Sequence, residues 1–402
     1  MAPSLISHTI ERPRLVAVAA MPVLPASNGY ALRVSNLLRE LAARWRVTLV
    51  APLGAGTAED LEELGVERVV PIDLFGPWGA PVGAADRRAI HALMDRVIAD
   101  DSPEAAIVWA CAEEVVFETP DFPPTVLDRL DCEVLGAWRE LRHARDGRNR
   151  LRALRDMSVW ALRERRMVRA VACTLVDGET DARLLRMMSG REQVHVVTNG
   201  VMIQPRATPD EEATVPTIVF TGNLSYQPNV RAVRWFVEFV LPAVRAVVPA
   251  TRFVVAGRNP APEILGLGTV PGVEIAGEVR DLASVLRAAW LAVAPLQTGS
   301  GVRTKMLEAW AVGRPVVLSP VAASGVHLDD DAASLVTRNA PQTARVIQRL
   351  LQDDRERHRL GASAHALAAR EYGGWSRPGA RVSELLHAAI AASGPGRSRR
   401  LA

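Results

Sequence analysis

Lysine is nearly missing from this chain of 402 residues: of its 48 cationic side chains only one, Lys305, is a lysine, and the rest are arginines. So uniform a bias reads as genomic composition. The retained ammonium then suggests a site that wants a compact point charge and not a planar fork, although a chance survivor on a solvated helix face fits the lysine alone equally well. Cysteine is scarce too. Cys111, Cys132 and Cys173 are odd in number, far apart and set in apolar runs, which excludes a disulfide scaffold and suggests buried thiols in a reducing, cytoplasmic setting. No CxxC or Cys/His cluster marks a metal site. An excess of one charge is also lacking: the net charge is +3, so no global field argues for nucleic acid. Long apolar runs are absent. The stretch Leu15 to Leu24 follows Arg12 and Arg14, but it is broken by Pro22 and followed by Pro25, so it reads as a first buried strand and not as a leader. Nothing later approaches the length of a membrane span.

What is present describes a globular chain, 49% apolar and 23% charged, long enough for two cores. Short β-branched runs alternate with longer helical patterns, the rhythm of parallel βαβ units. Strands are expected at Leu15–Ala20, Val47–Ala51, Arg68–Ile72, Ala106–Trp109, Thr125–Leu127, Ala172–Val176 and His195–Thr198. The rhythm restarts with Thr217–Gly222, Arg252–Gly257, Val273–Ala276, Leu291–Pro295, Pro315–Leu318 and Ser334–Val336. Between the two series, Val201 to Pro216 is polar, acidic and proline-bearing, without periodicity. The expected organisation is a first doubly wound domain over 1–203, a linker over 204–216 and a second such domain over 217–375. A C-terminal helix over 376–393 is expected to fold back toward the first domain, ahead of a disordered tail over 394–402. Ligands of such sheets bind beyond the carboxyl ends of the strands, so two facing sheets make a cleft.

The segment Trp138 to Arg169 departs from the rhythm. It is helical in pattern, interrupted near Asp146-Gly147, and carries eleven arginines beside a stripe of Leu151, Leu154, Val159, Leu162 and Met167. A basic amphipathic helix of this kind can contact an anionic membrane surface peripherally, at the inner face. The favoured reading is a helix pair covering the first sheet with a solvated arginine face.

In the second half each expected strand ends in residues suited to a nucleotide. Gly222-Asn223 closes the first and Gly257-Arg258 the second, where glycine lets a ligand approach the backbone. The run Gly277 to Leu282, with Val279, Asp281 and Leu282, offers donors and acceptors to a base. Pro295 to Gly301 supplies a glycine loop containing Gly299, Ser300 and Gly301, and the helix behind it bears Arg303, Lys305 and Glu308. Glycines followed by a helix start and a cation on its first turn form a phosphate cradle. Lys305 and Glu308, three apart, share a helix face.

Ile218 to Gly325 resembles the donor half of a GT-B fold glycosyltransferase of family 4, through F-T-G-N-L-S-Y-Q-P-N, V-V-A-G-R-N-P and G-S-G-V-R-T-K-M-L-E-A-W-A-V-G-R-P-V-V. It is most similar to the branch whose loop reads G-x-G-x-R-x-K-x-x-E-A. In the first half, Pro25 to Tyr30 resembles the family's first glycine loop and Val197 to Val201 its N-G-V ending. The resemblance implies an α/β GT-B architecture, two Rossmann-like parallel-sheet domains facing across a cleft. It also implies a retaining, metal-independent hexosyltransferase that uses a nucleoside diphosphate sugar and a hydroxyl acceptor, with no cofactor. On this sequence Glu308 would hold the ribose, Gly257-Arg258 and Val279 to Leu282 would border the base, Arg303 and Lys305 would neutralise the diphosphate, and Gly29 would approach the donor phosphate. Fixed cations there would stabilise the charge that grows on the departing diphosphate.

Three departures stand out. Ser300 occupies the place of the first glutamate in the family's Glu, seven residues, Glu pattern. The loop Asn223 to Asn229 lacks the arginine and lysine of many relatives, which shifts the phosphate charge onto Arg303 and Lys305. Trp109 to Glu113 holds no histidine. For the general base, Asp128 and Asp131 would face the cleft, or else cap the following helix; Glu113 and Glu114 are weaker candidates. His143 and His195 read as surface and strand residues, Trp235, Phe236 and Phe239 as core, and Asp329 to Asp331 as a solvated turn. Two alternatives stay open: a sugar-nucleotide binder without catalysis, and a GT-B phosphorylase holding pyridoxal phosphate through its single lysine.

Overall fold

A computed structural model describes residues 12–26, 28–54, 57–72, 84–109, 119, 121–144, 146–300 and 304–394. Among these residues the strands fall into two wholly parallel sheets. The first comprises β1 (Arg14–Val18), β2 (Arg46–Ala51), β3 (Arg68–Pro71), β4 (Ala105–Trp109), β5 (Thr125–Leu130), β6 (Cys173–Val176) and β7 (Val194–Val196), in the order β3-β2-β1-β4-β5-β6-β7. The second comprises β8 (Thr217–Thr221), β9 (Arg252–Ala256), β10 (Val273–Gly277), β11 (Leu291–Ala294) and β12 (Val316–Leu318), in the order β10-β9-β8-β11-β12. The central strands are apolar along their whole length, because helices cover both faces: β4 and β8 are buried at every position. In each sheet the order reverses next to the first strand of the unit, the switch point where the strand ends open a crevice.

The last expected strand does not form. Asp329 caps a short helix, Asp330–Ala333, and Ser334 to Val336 meet β12 only at a single bridge, Leu318 to Val336. The three aspartates are therefore a helix start and not a solvated turn, and Asp331 is bound by Arg359 at 2.8 Å. Residues 204–216 lie against the second unit: Gln204 and Ala207 donate to the carbonyls of Ala311 and Val312, and Glu212 pairs with buried Arg314 and Arg357. Two chain crossings run side by side. Val201 donates to Tyr372 O at 2.8 Å and Gly374 to Val201 O at 2.9 Å. A Cβ on Gly200 would fall 2.1 Å from Gly374 O, so glycine is required for this contact.

The helix Ser376–Ser393 then packs on the first sheet. Val382 and Leu386 are buried in its core, Trp45 donates to Ser383 Oγ at 2.9 Å, and His387 stacks on the Trp45 ring. The arginine-rich segment is a pair of helices, Glu133–His143 and Gly147–Ala170. The stripe expected to cover the sheet is inverted on the second: Met167 is buried, whereas Leu151 is 70% and Leu162 74% exposed, with Leu154 and Val159 also outside. What the helix buries instead is Glu164, which accepts from Arg129 at 3.1 Å and from the backbone of Glu133 at 2.7 Å, capping the preceding helix. Cys132 and Cys173 are buried free thiols, and burial pushes Cys173 up to about 12. Cys111, Glu113, Glu114, Gly301, Arg303 and residues 395–402 lie outside the described residues.

Candidate nucleotide site and the cleft

The carboxyl ends of β8 and β9 meet through two glycines with positive φ. Gly222 has φ of 140° and Gly257 of 149°, and a Cβ on Gly257 would fall 1.7 Å from Gly222 O. No other residue fits that approach. Behind them stands the helix Thr304–Ala311, whose Lys305 reaches back over the glycines. Its Nζ donates to Asn229 Oδ1 at 2.7 Å and lies 3.9 Å from the centroid of the Phe220 ring. A Cβ on Gly222 would come within 2.8 Å of that nitrogen. The ammonium is thus half-buried against the strand ends and does not hang in bulk solvent. Glu308, one turn on, is half-buried, and burial raises its carboxyl above the ordinary range while Lys305 draws it down.

The other expected donor residues are distributed around this seat. Asn223 holds its own turn, accepting from Ser225 N at 3.0 Å and from Asn229 Nδ2 at its carbonyl at 2.8 Å. Arg258 is half-buried, and its guanidinium makes no hydrogen bond or ion pair with a described residue. Asp281 caps the helix Leu282–Ala288 through Ala283 N at 2.9 Å, which holds it below the usual carboxylate range together with Ser284; Val279 and Leu282 are half-buried beside it. Gly299 has φ of 99°, and Ser300 is buried. Thr298, in the same loop, buries a hydroxyl with no hydrogen-bond partner among the described residues.

Sequence reasoning missed three participants. Asn229 pins Lys305 from the first turn of the helix Gln227–Phe239. Phe220 supplies a ring face under the ammonium. Arg139, buried in the helix Glu133–His143, crosses from the first unit to the Gly299 carbonyl and to Ser324 Oγ at 2.9 Å. Gly136 of the same helix lies over Ser300, whose Oγ is 3.5 Å from where a Cβ would stand. The glycine loop is therefore braced by the first unit, which a pattern search within one half could not reveal.

On the opposite wall, Gly29 opens the helix Gly29–Ala42 with nothing within 4 Å of a Cβ, and Asn28 caps it through Ala31 N at 2.8 Å. Asp128 requires a correction. It is fully buried: Arg33 grips it through Nε at 2.7 Å and Nη2 at 3.1 Å, and Trp109 donates to it at 3.0 Å. Such a carboxylate is committed to the fold and presents no exposed edge to the cleft. Arg33 also donates to Asp177 and to Asn199 Oδ1 at 3.0 Å. One buried cation faces two carboxylates, and burial pushes the Asp177 carboxyl up to about 8. Asp131, half-buried at the end of β5, keeps solvent access. His195 lies partly buried in β7, as its strand position implied.

Of the three aromatics read as core, Trp235 packs against the core with one side and Phe239 departs from the reading. Phe236 is fully buried, but Phe239 is 47% exposed, and it and Trp235 line a cavity of about 670 Å³ between the units, as does His143. Among the described residues no group of His, Cys, Asp and Glu comes together as a metal cluster, and no helix is long and apolar enough to cross a membrane.

Residues 215–353, in the second half, match the model of the family described as glycosyl transferases group 1. No curated protein matches the chain by sequence. Among solved structures, the chain is similar to sucrose-phosphate synthase from Thermosynechococcus elongatus, with 17% identity, 95% of this chain and 100% of that one covered, and a TM-score of 0.73. It is similar to HepE from Anabaena, solved with UDP and glucose, at 14% identity, with 93% and 99% covered and a TM-score of 0.66. WaaG, a glycosyltransferase involved in lipopolysaccharide biosynthesis, is 13% identical, with 92% and 99% covered and a TM-score of 0.63. At these identities the likeness speaks for the architecture: two parallel-sheet α/β units in the GT-B arrangement.

Proposed function

We propose that this chain, with a group 1 glycosyl transferase domain in its second half, moves a sugar from a nucleoside diphosphate donor to a hydroxyl acceptor, with retention at the anomeric carbon and without a metal ion. The observation that carries the reading is the seat of Lys305, a half-buried ammonium held over two glycines at the strand ends by Asn229 and the Phe220 ring. A diphosphate laid against Gly222 and Gly257 would meet that charge at close range, and Arg303 would share it. Glu308 would receive the ribose hydroxyls, and Arg258 with Val279 to Leu282 would border the base. The Thr298 hydroxyl offers a further donor inside the loop. A uridine nucleotide is the first donor to try, since the HepE structure contains UDP.

In the transfer the bond between the anomeric carbon and the diphosphate oxygen breaks as the acceptor oxygen bonds to that carbon. Charge grows on the departing diphosphate, where Lys305 stabilises it more in the transition state than in the ground state. Asp131 is the carboxylate of the expected pair that retains solvent access, and it is the one we assign to accept the acceptor's proton. Peripheral contact with an anionic bilayer at the cytoplasmic face is assigned to the helix Gly147–Ala170, whose exposed Leu151, Val159 and Leu162 lie among arginines; Arg139, buried against the donor loop, is excluded from it.

Calorimetric titration of UDP into the parent and into Lys305→Ala tests the donor reading. Loss of one charge-assisted phosphate contact is expected to weaken binding about ten- to hundred-fold. Equal affinity in the two proteins overturns it.

A further inference from the structure

The cavity between the units has a shape and chemistry that the donor does not use. It starts at the nucleotide seat, where Gln297 stands two residues before Gly299 and Gln227 two before Asn229, and it follows the helix Gln227–Phe239 to its last residue. At 1.5 Å per residue that run is about 18 Å, the length of several sugar rings placed end to end. The opposite wall is the helix pair of the first unit.

Its polar groups fall into two sets. Glu140 is paired with Arg231 across the units, Arg152 lies 3.8 Å from Asp156, and Asp146 caps its own helix. Gln227, Arg234, Glu238 and Gln297 also line the cavity, yet their side chains make no hydrogen bond or ion pair with any described residue. Together they offer both donors and acceptors: the two glutamine amides do both, Arg234 donates and Glu238 accepts. Between them Trp235 and Phe239 supply apolar surface. Arg234 and Glu238, four apart on one helix face, cancel in charge. Among the described residues that line the space, four carboxylates stand beside three guanidiniums, so these groups offer no net positive field to an anion.

We infer that this groove holds a linear, uncharged oligosaccharide, with its reacting end at Gln227 and Gln297 and its trailing sugars along Trp235 to Phe239. A pyranose has an apolar face of C–H groups that suits an indole, and an edge of hydroxyls that both donate and accept, which is what the unengaged groups require. A polyanionic chain would lie against four carboxylates, and a lipid tail would strand four polar side chains out of water. The inference rests on the transferase reading and names the class of its acceptor.

The test is an array of neutral and anionic glycans probed with the labelled full chain, run beside calorimetry with UDP. The parent is expected to retain neutral linear oligosaccharides of three or more sugars. Trp235→Ala is expected to lose that retention at least about ten-fold and Glu238→Gln several-fold, while both bind UDP as the parent does. Trp235 also touches the core of the second unit, so Glu238→Gln, at an exposed position, carries the test if the tryptophan variant fails to fold. Retention of anionic glycans alone, retention unchanged in both variants, or no retention by the parent overturns the groove. Retention of neutral glycans without UDP binding overturns the donor reading and leaves the groove standing.

Discussion

Each sheet ends in a cation, Arg33 fully buried and Lys305 half-buried, and the two are used in opposite ways. At the ends of β5 and β6, Arg33 is gripped by Asp128 and reaches Asp177, Asn199 and the Val197 carbonyl. At the end of β8, Lys305 is seated on an amide oxygen and a ring face, with its ammonium packed close over Gly222. The first arrangement is closed: the planar fork has matched partners on every side and no space for another. The second is open in that the ammonium is only half-buried and keeps solvent access. A cation becomes available to a ligand when the fold leaves it part-exposed, and Arg33, fully buried, differs from half-buried Lys305 in that respect.

That contrast can be broken. Arg33→Met, which leaves Asp128 and Asp177 in the core without their cation, is expected to cost about 3–5 kcal/mol of stability, measured by urea unfolding. Lys305→Ala should change stability by less than about 1 kcal/mol while weakening UDP as described above. If the two variants cost the fold equally, the distinction between a closed and an open cation fails.

A pH series sharpens it further. The Asp177 carboxyl keeps its proton to about pH 8 in the folded chain but releases it near 3.8 when unfolded. The folded state therefore binds the extra proton between those values, and stability falls as pH rises from about 4 to 8. Asp177→Asn should flatten that fall, and an unchanged slope would show that the proton is held elsewhere. The smallest effect belongs to Glu308. Burial raises its carboxyl, so the ionised form, the better acceptor for ribose hydroxyls, fills in as pH rises through that raised value. UDP affinity should climb modestly over the same window, and Glu308→Gln should lose the climb.

Most strands were legible because a buried parallel strand needs an unbroken apolar run, and β1, β4, β8, β9 and β11 are such runs. Ser334–Val336 has the composition of a strand but follows a capped helical turn that leaves room for one bridge. The glycine loop and the lysine behind it were readable as a cradle, since φ values of 140° and 99° at Gly222 and Gly299 are a demand that glycine states locally. Asp128 was misjudged for the converse reason. Its position at a strand end is written in the sequence, but its partner lies 95 residues away in Arg33. The Leu151 to Leu162 stripe misled likewise, because periodicity marks a face without saying what meets it.

The sequence by itself determined where strands, helix starts and left-handed turns fall, and so the two doubly wound sheets and the glycine-lined ends of the second. These follow from sterics and from hydrophobic period, which act over a few residues. Only the tertiary structure decided that Asn229 would hold Lys305, that Arg139 would brace the opposite unit's loop, and that Trp235 and Phe239 would line a space between the units. Charge pairing and burial depend on distance through space, and groups as far apart in the chain as Trp45 and Ser383, 338 residues, set those distances here.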